Sequence, residues 1–154
     1  MSEPEWNEDF SDFVEALRAE GVEFVIVGAH AMAVHGVPRA TGDLDVLIRP
    51  VPENAARLMR ALRRFRAPVQ AHGIGADDFC SPGTVYQIGL PPRRIDVLTA
   101  ISGVEFETAY QSRVVSKNLP FLGHSALITN KRTAARPKDL VDATLLEAVG
   151  DGPP

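Results

Sequence analysis

The sequence lacks several features that would place it in a specialised class. Its single cysteine, Cys80, rules out a disulfide within the chain and gives no sign of an oxidising compartment. No apolar run approaches the roughly 20 residues that a membrane-spanning helix needs. The first residues are acidic, unlike the basic and then apolar start of a signal peptide. We therefore expect a cytoplasmic protein with no membrane partner.

An excess of positive charge is also missing. The chain has 16 lysines and arginines against 20 acidic residues, which gives a net charge of −4. This argues against tight, nonspecific binding of long nucleic acid through a basic surface. An enzyme that holds a nucleotide through metal ions remains compatible with it. The length of 154 residues and the 45% hydrophobic content indicate one globular domain over residues 1–150, followed by a disordered tail over 151–154.

Short apolar runs indicate the order of the elements. Val22 to Val27 is typical of a buried strand, because it is short and rich in β-branched residues. Gly28 ends this strand, Ala29 to His35 is predicted as a short helix, and Asp43 to Ile48 as the next strand. The first helix is expected between an N-cap at Asn7 and a stop at Gly21. Further helices are expected at Pro52–Phe65, Phe106–Gln111, from a cap at Ser125 and from Pro137, with strands at Val85–Ile88, Arg94–Thr99, Val114–Val115 and Leu119–Leu122.

Two aspartates at the start of the second strand suggest a cation site. Asp43 and Asp45 are two residues apart, so both carboxylates project from one face, with Cα atoms roughly 6 to 7 Å apart. Carboxylates this close repel each other, and a divalent cation relieves the repulsion. Asp96, in an otherwise apolar strand, supplies a third carboxylate if the two strands are neighbours. Taken alone, a D-x-D motif more often belongs to a turn and an exposed strand.

The glycine turn upstream suggests a phosphate site beside these carboxylates. Gly28 lies between a strand and a helix, where the backbone can approach a phosphate and helix N–H groups point at it. Arg39 and Thr41 come shortly before the aspartates and can hydrogen-bond an anion. Alternatively, Gly28 serves only a tight turn, and the other two are solvated loop residues.

These motifs together resemble the nucleotidyltransferase superfamily related to DNA polymerase β. Its signature is an apolar strand, Gly-Gly or Gly-Ser, a short helix and Asp-x-Asp or Asp-x-Glu. The small bacterial branch that includes the AbiEii-like toxins is more similar still, through the segment V-G-A-H-A-M-A-V-H-G-V-P-R-A-T-G-D-L-D-V. The resemblance continues in Q-I-G-L-P-P-R-R-I-D-V-L-T, G-V-E-F-E-T-A-Y and K-R-T-A-A-R-P-K-D-L-V-D-A, and so extends from Val22 to Leu146.

The resemblance implies an α/β (α+β) nucleotidyltransferase fold, with helices packed around a central mixed sheet. It also implies Mg²⁺-dependent or Mn²⁺-dependent transfer of a nucleoside monophosphate from an NTP to a hydroxyl of RNA, such as tRNA, of a protein or of a small molecule. Asp43, Asp45 and Asp96 would be both the catalytic carboxylates and the metal ligands. The nucleotide would be bound by Gly28, Ala29, Arg39, Thr41, Lys131 and Asp139.

One position departs from the superfamily pattern. Ala29 stands where glycine or serine is preferred, so it offers the phosphates a backbone N–H but no hydroxyl.

Other site residues also have a structural alternative. Lys131 could equally be a solvated helix residue, and Asp139 a first-turn residue that offsets the helix dipole. The alternative function is therefore a catalytically weak or inactive nucleotide-binding module with a partner protein in a toxin–antitoxin or regulatory complex. The arginines from Arg57 to Arg66 could guide an RNA, although such a run more often forms the solvated side of a helix.

Overall fold

The computed structural model describes residues 6–39 and 42–150. Thr41 and the predicted tail at 151–154 lie outside these residues. The elements in chain order are α1 (Glu8–Ala19), β1 (Phe24–Val27), α2 (Ala29–Val34), β2 (Leu44–Ile48), α3 (Pro52–Arg64), β3 (Val85–Ile88), β4 (Ile95–Leu98), α4 (Phe106–Gln111), β5 (Val114–Ser116), β6 (Leu119–Phe121), α5 (His124–Ala134) and α6 (Pro137–Val149). A 3₁₀ helix at Ala76–Cys80 lies in the stretch where the sequence suggested no element.

The strands form one six-stranded mixed sheet with the order β3-β4-β2-β1-β6-β5. Strand β1 is antiparallel to β2 and parallel to β6, and β2 is parallel to β4. The hairpin β3–β4 and the hairpin β5–β6 extend the sheet at its two edges. Helices flank the sheet, so the expected α/β class with a central mixed sheet is confirmed.

The core lies around the central strands. All four residues of β1 are buried, as are four of the five in β2. Because helices cover both faces of a central strand, the sequences of both strands are nearly continuous apolar runs. Helix α1 buries Phe10, Phe13 and Leu17 on one face, and the Asn7 side chain caps it by accepting the Phe10 N–H at 3.0 Å.

The start of α5 differs from the prediction. The helix begins at His124 with Gly123 as its N-cap residue, whereas Ser125 lies in the first turn and is exposed. A Cβ atom on Gly123 would lie 2.5 Å from the Ser112 carbonyl oxygen, so the chain passes close to the end of α4 before it turns into the helix. The helix therefore starts two residues earlier than a cap at Ser125 would place it, and the long-range contact with Ser112 is a constraint that the local sequence does not reveal. Among residues 6–39 and 42–150, none of the helices combines the length and the apolar composition of a membrane-spanning segment.

Candidate active site

A cleft of about 570 Å³ lies where β1 ends and where β2 and β4 begin. Because β2 runs antiparallel to β1 and parallel to β4, the turn after β1 meets the first residues of the other two strands there. Helices α5 and α6 also contribute side chains to the lining. The sheet topology thus brings residues that are far apart in sequence to one place.

The acidic residues of the cleft come from two neighbouring strands. The parallel register pairs Asp45 of β2 with Asp96 of β4, and Asp43 directly precedes β2. Burial is the main cause that raises the pKa of Asp45 to about 7, followed by the charge of Asp96, a hydrogen bond with Asp96 and the charge of Asp43. Without an added cation, Asp45 therefore retains a proton close to neutral pH.

The turn between β1 and α2 lies directly against this acidic pair. Gly28 has φ +71° and ψ −148°, a backbone conformation that is essentially restricted to glycine. A Cβ atom on Gly28 would also lie only 2.4 Å from Asp45 Oδ2. The backbone conformation and the close approach of Asp45 each require glycine here. Ala29 follows as the first residue of α2 and lines the cleft as well.

An arginine that the sequence motifs do not single out lies among the three carboxylates. Arg94 donates from Nε to Asp96 Oδ1 at 2.8 Å and from Nη2 to Asp96 Oδ2 at 3.2 Å. The same Nη2 lies 3.0 Å from Asp43 Oδ2. Arg94 precedes Asp96 by two residues, so strand alternation places both side chains on one face. That spacing is the signal by which Arg94 could have been found in the sequence.

A second group of charges links α5 to α6 at the cleft. Lys131 Nζ lies 2.9 Å from Asp142 Oδ2 and 3.5 Å from Asp139 Oδ1. Arg39 Nη1 lies 2.9 Å from Asp142 Oδ1, and Arg136 Nε donates to Asp139 Oδ2 at 2.6 Å. Both aspartates are buried. The hydrogen bond from Arg136 lowers the pKa of Asp139, so an ionised carboxylate lies beside the largely buried ammonium group of Lys131.

Every predicted site residue in the described part of the chain lines this cleft. These residues are Gly28, Ala29, Arg39, Asp43, Asp45, Asp96, Lys131 and Asp139. Thr41 lies outside the described residues, so its predicted role stays a prediction. The sequence motifs do not single out Asp142, which follows Asp139 by three residues and therefore lies on the same side of α6. Nor do they single out Arg136 and Lys138, which line the cleft at the start of α6.

The chemistry of the acidic residues suits a hard divalent cation, because Mg²⁺ and Mn²⁺ prefer oxygen ligands. Among residues 6–39 and 42–150, no three acidic, histidine or cysteine side chains already form a metal-ligand cluster. Mg²⁺ in proteins commonly takes only one or two carboxylates, with water and substrate phosphates completing its shell. The adjacent pair Asp45 and Asp96 meets that smaller requirement. The residues therefore fit a cation that arrives together with a phosphate ligand.

Comparison with known proteins gives a structural match but no match in sequence. No family model and no curated protein matches the chain. The crystal structure of a "putative nucleotidyltransferase" from Thermotoga maritima superimposes with a TM-score of 0.56 at 17% sequence identity. The match covers 96% of this chain and 94% of that one. At this identity the similarity shows a shared fold, which is the fold that the sequence motifs implied.

Proposed function

We propose that the protein is a nucleotidyltransferase, which transfers a nucleoside monophosphate from an NTP to an acceptor hydroxyl with Mg²⁺ or Mn²⁺ as cofactor. The observation that carries the proposal is the register of β2 and β4, which sets Asp45 beside Asp96 with Asp43 two residues away. The same cleft contains the basic side chains of Arg39, Lys131 and others. Acidic groups for a cation and basic groups for phosphates are the two requirements of a metal–triphosphate complex.

The acidic residues take the roles that a phosphoryl-group transfer needs. Asp43 and Asp45 would hold the metal, which when bound neutralises charge on the phosphate oxygens. In the transfer, the acceptor oxygen forms a bond to the α-phosphorus, and the bond from that phosphorus to the pyrophosphate oxygen breaks. Asp96 would take the proton of the acceptor hydroxyl or complete the metal site. Gly28 would let the backbone approach the β- and γ-phosphates, and Ala29 would offer its N–H group.

The basic residues would hold the far end of the triphosphate. Lys131 would contact phosphate, with Arg39 close by. Asp139 is fully buried and already pairs with Lys131 and Arg136, so its contribution to nucleotide binding would be to position these cations. Asp142 would do the same for Lys131 and Arg39. The Lys131 ammonium group would then be fixed in place before the nucleotide arrives, which reduces the entropy lost on binding.

Two observations favour a second candidate function, a nucleotide-binding module without turnover. Ala29 has no hydroxyl for the phosphates, and Arg94 engages two of the three carboxylates. A module of this kind would act with a partner protein in a toxin–antitoxin or regulatory complex, as the similarity to the AbiEii-like branch suggests. Binding of nucleotide would then control the partner, and no acceptor would be modified.

Transfer of label from an NTP separates the two candidates. Each of the four NTPs, labelled at the α-phosphate, is incubated with the protein, Mg²⁺ and total tRNA or cell extract. We expect one of them to label an acceptor, and Asp45→Asn to lower the rate by about 100-fold or more, because it removes a carboxylate ligand of the cation that would stabilise the negative charge developing on the phosphate. Asp77→Asn is the matched control, since Asp77 is exposed and does not line the cleft.

The outcomes assign the function. Labelling that needs Asp45 but not Asp77 supports the transferase. Mg²⁺-dependent NTP binding without labelling of any acceptor supports the binding module instead. If the protein neither transfers label nor binds an NTP with Mg²⁺, both candidate functions are wrong.

A further inference from the structure

The guanidinium group of Arg94 already serves as a cation for the acidic centre. It engages both oxygens of Asp96 and one oxygen of Asp43, and all three side chains are less than a third exposed. The backbone holds Arg94 in this place, because its carbonyl accepts the N–H of Leu44 at 2.9 Å, immediately after Asp43. Planar guanidinium–carboxylate pairs with two hydrogen bonds are among the stronger ionic contacts in proteins.

The preceding arginine provides the contrast. Arg93 Nε lies 3.3 Å from Asp9 Oδ2 of α1, and both side chains are about half exposed. Arg93 does not line the cleft. A surface pair of this kind contributes little to stability. The two adjacent arginines thus have the same charge and nearly the same place in the sequence, but only Arg94 contacts the acidic centre.

We infer that Arg94 competes with the divalent cation for Asp43 and Asp96, and that the incoming phosphates release it. This inference rests on the proposed function. Both oxygens of Asp96 accept hydrogen bonds from Arg94, so a cation that binds Asp96 has to share these oxygens with the guanidinium group and lie close to its positive charge. The triphosphate offers Arg94 another partner, because phosphate oxygens bind a guanidinium group with the same two-bond geometry.

The exchange couples the metal to the nucleotide. A divalent cation alone has to displace Arg94 without compensation, so it binds weakly. A cation that arrives with a triphosphate brings the anion that Arg94 needs, so it binds tightly. By thermodynamic linkage, the nucleotide gains affinity from the metal by the same factor. Arg94 is in this sense a positioning residue, which keeps the acidic centre from binding metal until the substrate is present.

The test measures Mn²⁺ affinity by electron paramagnetic resonance or calorimetry, with and without a non-hydrolysable NTP analogue. Because a neighbouring positive charge shifts a carboxylate's pKa by about one unit or more, we expect Arg94→Gln to bind Mn²⁺ alone about tenfold more tightly than the wild type. The Arg93→Gln control removes the same charge and should stay within about twofold of the wild type. Arg94→Lys keeps the charge but loses the two-bond geometry, so its affinity for Mn²⁺ alone should lie between those of the wild type and of Arg94→Gln. The factor by which the analogue tightens Mn²⁺ binding should shrink by about tenfold in Arg94→Gln.

The possible results are distinct. If Arg94→Gln binds Mn²⁺ alone no more tightly than Arg93→Gln, while the wild type binds Mn²⁺ with the analogue, the Arg94 inference is wrong and the proposed function stands. If neither the wild type nor any variant binds Mn²⁺, with or without the analogue, the Arg94 inference and the proposed function are both wrong. If Arg94→Gln does not fold, Arg94→Lys provides the test. A wild-type affinity for Mn²⁺ alone in Arg94→Lys would contradict the proposed competition between Arg94 and the cation.

Discussion

At the scale of single residues, Gly28 is the most constrained position of the candidate site. Its backbone conformation is one that a residue with a Cβ rarely adopts. Its missing side chain also leaves the room that Asp45 Oδ2 occupies. The two constraints can be separated by comparison with Gly73, which has only the first of them. Gly73 has φ +67°, and a Cβ there would meet nothing within 4 Å.

Replacement of Gly28 by alanine should therefore cost more than replacement of Gly73. We expect Gly73→Ala to lower the free energy of unfolding by about 1 kcal/mol, from the positive φ alone. Gly28→Ala should lower it by about 2 kcal/mol or more, because Asp45 also has to move away from the new methyl group. Urea unfolding gives both values. Equal losses in the two variants would mean that the close approach of Asp45 adds nothing to the free-energy cost of replacing Gly28.

Spacing along the sequence predicts some contacts of the candidate site and leaves others hidden. Asp43 and Asp45 could be placed on one face because the period of a strand is two. Asp96 could be named as a candidate, but its place beside Asp45 follows from the parallel register of β2 and β4, which is a non-local pairing. Arg94 was missed because an arginine at the start of a strand normally indicates an exposed end. Only the register reveals that it meets Asp43.

At the scale of elements, the corner between α5 and α6 organises the basic part of the cleft. Ala135 ends α5 in a left-handed conformation with φ 58°, and Pro137 opens α6 at its first turn. The Asp139 carboxylate accepts the Arg136 N–H at 3.2 Å, which caps the new helix. The tight corner places Lys131 of α5 against two aspartates of α6. The two carboxylates explain why a largely buried lysine is tolerated there.

Loss of the Asp142 charge should destabilise this corner. Asp142→Asn leaves Lys131 with Asp139 at 3.5 Å and removes the ionic partner of Arg39. We expect a loss of about 2 kcal/mol or more in the free energy of unfolding, since breaking a buried pair leaves charge uncompensated. Glu147→Gln is the matched control, because Glu147 joins the same two helices by pairing with Arg132 at the surface. Glu147→Gln should lower the free energy of unfolding by less than about 1 kcal/mol. Similar denaturation midpoints for the two variants would contradict a special role of the buried pair.

The elements themselves could largely be predicted from the sequence, and their arrangement could not. Apolar runs identified the strands because a buried strand has a distinctive composition. The order of the sheet depends on pairings between distant segments, such as β1 with β6, for which the local sequence carries no signal. The wrong cap at Ser125 has the same origin, because the contact of Gly123 with the end of α4 decides where α5 begins.

At the scale of the whole molecule, the acidic centre makes global stability depend on pH. The pKa of Asp45 is about 7 in the folded chain, against an ordinary value of 3.8 that applies when the chain is unfolded. Between these values the folded protein keeps a proton that the unfolded chain has lost. The free energy of unfolding therefore falls as the pH rises from about 4 to about 7, and it levels off above that range.

An asparagine at position 45 should remove this part of the pH dependence, since the amide is neutral at every pH. Near pH 4, Asp45→Asn and the wild type should have similar stability, and by pH 8 the variant should be more stable by about 2 kcal/mol. Each pKa unit between the two states is worth about 1.4 kcal/mol, and solvent in the open cleft screens part of the total.

Urea unfolding across pH 4 to 8 in a metal-free buffer measures the difference, with Asp77→Asn as a control that should follow the wild-type curve. Parallel curves for Asp45→Asn and the wild type would show that the proton on Asp45 is not linked to folding. If Asp45 binds the proposed divalent cation, the cation would take the place of that proton, so adding Mg²⁺ with an NTP analogue should flatten the wild-type curve and leave that of Asp45→Asn nearly unchanged.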